Sequence, residues 1–138
     1  MTAPTGIDAA ELRRRMPPAR AAEVLRDTLR AGYDPAGDHA RTAMATPHGE
    51  MLLMPSHLPG VAGIKLIGIA PDNSDRGLPR IHDWYVLFDG ETLAPRVLLD
   101  GQELTQVRTA AVSAVGLEVL APDVVDTAVI VGSGPQAL

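Results

Sequence analysis

Residues 127–137 read Thr-Ala-Val-Ile-Val-Gly-Ser-Gly-Pro-Gln-Ala, an apolar run followed at once by a glycine-rich turn. A short run that is apolar at every position predicts a strand over Thr127–Val131 buried on both faces, as in a parallel sheet. The turn has the pattern G-x-G-x-x-A. Gly132 permits a tight turn off the strand, Gly134 lets a backbone approach a pyrophosphate, and Ala137 leaves room for a helix to pack on the sheet. A helix N-terminus there offers free N–H groups and a partial positive charge to phosphates. Pro135 suits a first-turn position, because its missing N–H needs no partner. A glycine turn after a strand is also compatible with a plain turn. The crossover helix and the acidic residue that complete a dinucleotide site fall past Leu138. A lone two-faced strand needs covering, which predicts that the polypeptide continues into a nucleotide-binding domain.

Working back toward the N-terminus, Leu104–Leu120 has a helical pattern rich in small residues, Ala110, Ala111, Ser113 and Ala114, with Pro122 beyond it. Before it the period changes to two. Trp84–Phe88 and Pro95–Leu99 read as a hairpin turned at Asp89-Gly90. Ile64–Ala70 reads as a strand, with Lys65, Ile67 and Ile69 on one side. Arg41–Ala45 and Met51–Met54 read as two strands joined around Pro47-His48-Gly49. Pro55–Gly63 and Pro71–Arg80 read as loops, the latter with Asp72-Asn73 capping a turn. Asp8 and Glu11 are spaced to cap a short helix ending near Met16, and a second helix runs from about Arg20 to Ala31, with Gly32 after it. The fold class is therefore α+β: helices and a mostly antiparallel sheet over residues 1–121, then the first strand of a Rossmann-type α/β domain over 122–138.

The chain of 138 residues is 46% hydrophobic and carries a formal net charge of −5, with no cysteine. This excludes a basic nucleic-acid-binding surface, disulfides and thiolate chemistry. No run approaches the ~20 apolar residues of a membrane span, and the N-terminus lacks a signal-peptide pattern, so a cytoplasmic location is expected. The four histidines are scattered without metal-ligand spacing. Arg13-Arg14-Arg15 reads as a solvated helix face.

The segments MLLMPS, GIKLIGIAPDN, the GLP of 77–79, LTQVRTAAVSA and VIVGSGPQA resemble, in order and spacing, the ornithine cyclodeaminase/mu-crystallin family. The resemblance implies a two-domain subunit. One domain binds substrate and forms a homodimer; the other binds NAD or NADP. Members include cyclodeaminases, alanine dehydrogenases and ketimine reductases acting at the α carbon of an amino acid or imine. It implies that Arg41, Lys65 and Arg108 hold the substrate carboxylate, and that Thr109, Gly132, Ser133, Gly134, Gln136 and Ala137 lie on the cofactor side. It places the catalytic aspartate past Leu138, so these 138 residues alone are expected to be inactive. A charge on an otherwise apolar strand is costly unless paired, which singles out Lys65, also as a group able to protonate or polarise an imine. A planar guanidinium grips a carboxylate through two hydrogen bonds. Ornithine-cyclising members carry a glutamate just before Leu-Met-Pro; Leu52 stands there and cannot pair with an ammonium. A smaller or more apolar amino acid or a cyclic imine is then the expected substrate, unless Glu50 substitutes. A crystallin-like protein that binds NADP(H) or a small ligand without turnover, and a stand-alone dimerisation module, are the other readings.

Overall fold

In the computed structural model, which describes residues 3–136, one six-stranded sheet is flanked by three α-helices. The strand order is β1-β6-β5-β4-β3-β2. The strands are β1 (Thr5–Ile7), β2 (Thr42–Thr46), β3 (Gly49–Leu58), β4 (Val61–Ile69), β5 (Ile81–Asp89) and β6 (Pro95–Asp100). All neighbours are antiparallel except β1, which runs parallel to β6. The α+β, mostly antiparallel expectation holds.

The helices are α1 (Ala9–Arg15), α2 (Pro18–Arg30) and α3 (Gly101–Leu120). Asp8 caps α1 by accepting from the Glu11 N–H at 2.8 Å. Gly32 closes α2 at φ +95°, a region where glycine carries no Cβ penalty. Asp100 caps α3, accepting from the Glu103 N–H at 2.7 Å, so the helix starts three residues before the expected Leu104. The Asp100-x-x-Glu103 spacing is a capping signal. The best-buried apolar cluster lies between α2 and α3: Ala21, Ala22, Val107, Ala111 and Val115. Small side chains let these helices approach closely.

Two expectations need correction and a third is incomplete. Pro55–Gly63 is not a loop: β3 continues through Pro55, which pairs with Ile64, to a turn at Pro59-Gly60. Beyond Leu53 strand β2 ends, so β3 has one neighbour, and a residue without an N–H is tolerated on the open side. Arg13 lies on the exposed helix face, as expected, but its charge is paired. It donates to both oxygens of Glu103, at 2.7 and 2.6 Å, and so ties α1 to α3 through a carboxylate that is only 4% exposed. Thr127–Val131 does not form a strand; Val129, Ile130 and Val131 are 80%, 70% and 96% exposed. A strand exists only with a ladder partner, and none lies beside this segment among the described residues. The turn after it does take the expected shape at Gly132, where φ is +107°.

The two sheet faces differ. Register puts Leu52, Met54, Lys65, Ile67, Asp83, Tyr85 and Leu99 on the face beneath α3. The opposite face carries Leu53, Ile64, Leu66, Val86 and Leu98, with Met44 and Trp84 each half exposed. No helix among the described residues covers it.

Candidate functional site: a cationic cavity under α3

Lys65 sits mid-strand in β4, directly opposite Met54 of β3 and Tyr85 of β5. The alternation that turns Ile64 and Leu66 to the open face turns Lys65 under α3. Its ammonium is paired there: Nζ lies 2.7 Å from Asp83 Oδ2 and donates to Thr105 Oγ1. The Lys65 and Asp83 side chains are 13% and 4% exposed. The requirement that a cation on this strand be paired is thus met by a residue that sequence reading missed. Asp83 lies on β5 opposite Ile67, one step beyond the Trp84–Phe88 core of the predicted strand. The signal was there: an acid among the aromatic and aliphatic residues of 81–88.

Thr105 and Arg108 are one turn apart on α3 and share a face. Arg41 immediately precedes β2. These residues converge. Arg41, Lys65 and Arg108 line one cavity of about 530 Å³, and an adjoining cavity of about 690 Å³ includes the same three. No carboxylate pairs with Arg41 or Arg108 among the described residues. Of the turn residues, Gly134 and Gln136 border the smaller cavity, together with Pro135. Ser133 borders a different one, beside Arg13 and Gln106. Thr109 lines neither cavity of the cationic cluster, and its Oγ1 is buried without a hydrogen-bond partner among the described residues. Ala137 lies outside the described residues.

The wall facing these charges is aliphatic: Leu52, Ile67, Ile69 and Ile81 line the smaller cavity. Leu52 therefore points where the sequence comparison placed it. Glu50, suggested as its substitute, shares the strand face but does not line the cavity. The segment leading to Arg41 is anchored by Asp38, which accepts from Tyr33 Oη at 2.5 Å and Ser56 Oγ at 2.8 Å. These two donors hold the Asp38 carboxyl below its ordinary value. Burial raises the Tyr85 phenol above its ordinary value, so it stays a neutral wall of the larger cavity.

A cluster of two unpaired guanidiniums and one paired ammonium against an aliphatic wall can bind a carboxylate whose remainder is apolar. Among the described residues no group of three or more metal-donor side chains gathers, and no helix is long and apolar enough to cross a membrane.

The chain is 39% identical over 89 residues to the Delta(1)-pyrroline-2-carboxylate/Delta(1)-piperideine-2-carboxylate reductase of Azospirillum brasilense, covering 64% of this chain and 29% of that protein. It is 34% identical over 89 residues to the alanine dehydrogenase of Archaeoglobus fulgidus, covering 64% and 28%. The chain thus spans under a third of the length of these curated relatives. Among solved structures, the Delta(1)-pyrroline-2-carboxylate reductase of Thermococcus litoralis, in complex with NADH and L-proline, superposes with a TM-score of 0.78 at 27% identity, over 96% of this chain and 43% of that one. A lysine cyclodeaminase superposes with a TM-score of 0.66 at 27% identity, over 88% and 39%. The family model of the ornithine cyclodeaminase/mu-crystallin family matches residues 21–138. With that match over most of its length, the chain belongs to the ornithine cyclodeaminase/mu-crystallin family.

Proposed function

We propose that the full-length protein is an NAD(P)-dependent oxidoreductase acting at the α carbon of an amino acid or of its imine, with a substrate whose side chain lacks an amine. One observation carries the reading. Arg41, Lys65 and Arg108 come from three separate stretches of the chain, yet line one cavity that Gly134 and Gln136 also border. Arg41 and Arg108 hold the substrate carboxylate. Leu52, Ile67, Ile69 and Ile81 take its aliphatic part, which favours a cyclic imine or a small apolar amino acid over ornithine. Lys65 reaches the nitrogen and is the catalytic residue within these 138 positions.

The 132–137 turn, with Thr109 behind it, is the proposed cofactor side, and residues 122–138 the start of the nucleotide-binding domain. Gly132 adopts a left-handed backbone, and a Cβ at Gly134 would meet no atom within 4 Å, so both leave the turn open to a close approach. These residues fit a dinucleotide's pyrophosphate. When bound, the nicotinamide supplies or removes a hydride. The chain's own residues orient the α carbon, and fixed geometry of this kind contributes ~7–11 kcal/mol to well-aligned reactions.

Nicotinamide absorbance tests this with full-length protein. Five- and six-membered cyclic imino acids, and keto acids with ammonia, are offered with NADH or NADPH; amino acids are offered with NAD or NADP. Turnover is expected with a cyclic imine or an apolar amino acid and not with ornithine. No absorbance change with any of them would overturn the enzyme reading, and tight cofactor binding without consumption would favour a crystallin-like binder. Lys65→Met is expected to lower turnover ~100-fold or more, the usual contribution of a placed acid.

The uncovered sheet face is the proposed homodimer contact. An archaeal protein of known structure is described as an alanine dehydrogenase dimer, and at 24% identity that likeness speaks to the fold. The support here is the open row of Leu53, Ile64, Leu66, Val86 and Leu98, an apolar patch of the kind that marks interfaces. Leu66→Glu, at its centre, is expected to shift the protein from dimer to monomer in light scattering. A variant that remains fully dimeric would assign the contact elsewhere.

A further inference from the structure

Lys65 differs from its two neighbours in the cavity, since its charge is already answered. Nζ is 2.7 Å from Asp83 Oδ2 and donates to Thr105 Oγ1. The Thr105 hydroxyl lies 2.8 Å from the Gly101 carbonyl oxygen and 3.3 Å from Asp83 Oδ2. Its single hydrogen serves the nearer carbonyl, which leaves its lone pairs turned to Lys65. An ammonium has three hydrogens. One is held by Thr105 and the charge is answered by Asp83 in an ion pair, which leaves a hydrogen for the cavity.

The charge balance points the same way. Three cations and one carboxylate leave the cavity two net positive charges, and the Lys65–Asp83 pair cancels internally. The charge free to meet a substrate carboxylate belongs to Arg41 and Arg108. Asp83 is also an expensive residue for this place. It stands opposite Ile67 in an aliphatic wall, and its Oδ1 is buried with no partner among the described residues. Buried ion pairs are often no more stabilising than apolar residues of the same size. Stability alone gives no reason for a carboxylate here; control of the ammonium does.

We infer that Asp83 and Thr105 are positioning residues that hold Lys65 Nζ with one N–H aimed at the nitrogen of the substrate. This rests on the imine-reducing form of the function proposed above. In that reaction the C=N carbon takes a hydride from NADH or NADPH, and the nitrogen takes a proton from Lys65. The N–H bond of the ammonium breaks, an N–H bond forms on the product, and Lys65 is left as a neutral amine that solvent reprotonates. Without Asp83 and Thr105, Nζ swings on its four-carbon stem and the donated hydrogen loses its direction.

The test uses full-length protein with cyclic imine and reduced nicotinamide. Asp83→Asn keeps the shape and removes the charge. It is expected to lower kcat about 10- to 100-fold, part of the full acid contribution. KM should move less than about threefold, because the carboxylate is held by Arg41 and Arg108. Calorimetric affinity for cyclopentanecarboxylate, which has the carboxylate but no nitrogen, should stay the same. In a Lys65→Met background Asp83→Asn should cost nothing further, since it acts through the lysine. Thr105→Val should behave like Asp83→Asn, with Thr105→Ser restoring kcat; this pair carries the test should Asp83→Asn fail to fold. A further loss in the Lys65→Met background, or a raised KM and weakened cyclopentanecarboxylate binding at unchanged kcat, would overturn the inference and leave the proposed function standing. Wild-type protein inactive on every imine, keto acid with ammonia and amino acid offered would remove both.

Discussion

Replacing Arg108 by methionine is expected to lower kcat/KM about 100- to 1,000-fold, the equivalent of about 3–4 kcal/mol of transition-state binding. The methionine keeps much of the length of the side chain and removes the fork of donors. Arg108 projects from α3 into the cavity with Arg41, and no carboxylate answers it among the described residues. A guanidinium so placed is free to take a substrate carboxylate through two parallel hydrogen bonds. Its removal breaks no ion pair, so thermal stability should hold within about 2 °C, a shift equivalent to a few tenths of a kcal/mol in a domain of this size. Most of the loss should appear in KM and in the affinity for cyclopentanecarboxylate. Arg108→Lys should recover only part of it, because an ammonium is a point donor without the planar fork. A change below threefold in kcat/KM for Arg108→Met would mean that the carboxylate is bound elsewhere.

The second large effect is expected at a residue with no side chain. Gly101 is the first residue of α3, where the helix lies against β5. A Cβ there would sit 2.7 Å from the carbonyl carbon of Asp83, 2.8 Å from its oxygen and 2.8 Å from the Trp84 nitrogen. All three are backbone atoms and none can rotate aside. Gly101→Ala must push the start of α3 away from the strand. Overpacking of this sort costs about 1–3 kcal/mol, which calorimetry or denaturant unfolding would read. The functional loss should be larger than the stability loss suggests. Thr105 and Arg108 lie one and two turns along, and they move with the helix while Lys65 and Asp83 stay on the sheet. A displacement approaching 1 Å costs about 100-fold in rate where geometry matters. Gly116→Ala in the same helix is the control. A Cβ there meets no atom within 4 Å, so it should leave activity alone and add up to about 1 kcal/mol of helix stability. Equal behaviour of the two variants would mean that the α3–β5 contact does not set the site.

Both predictions concern the placement of α3 over the sheet, and sequence and structure divide along that line. Much of the local detail was legible. The Asp8 and Gly32 caps, the hairpin at Asp89-Gly90, the Ala-rich helix before Pro122 and the grouping of Lys65 with Ile67 and Ile69 on one strand side follow from spacing and turn chemistry within a few residues. The errors arose where a neighbour distant in sequence decides. Pro55 was read as ending a strand, and is carried within one because β2 stops short of it. Arg13 was read only as part of an exposed face, which it is, and its ion pair with Glu103, 90 positions away, was missed. The apolar run 127–131 was read as a strand, and has no partner to pair with among the described residues. The triple-arginine run held no cue that one of its members meets a buried acid.

By itself the sequence determined the fold class, the family and which side chains share a strand face with Lys65. Each of these depends on short-range periodicity or on motifs contained in a few residues. Only the tertiary structure decided what answers the Lys65 charge. Asp83 and Thr105 are 22 positions apart, and Thr105 is 40 from Lys65. Strand register and the docking of α3 bring them within hydrogen-bond reach. A one-residue slip of β5 would turn Asp83 to the opposite face and leave the ammonium bare. Pairing of that kind is settled by which register buries the most apolar surface at once across the whole sheet, a sum that no local stretch contains.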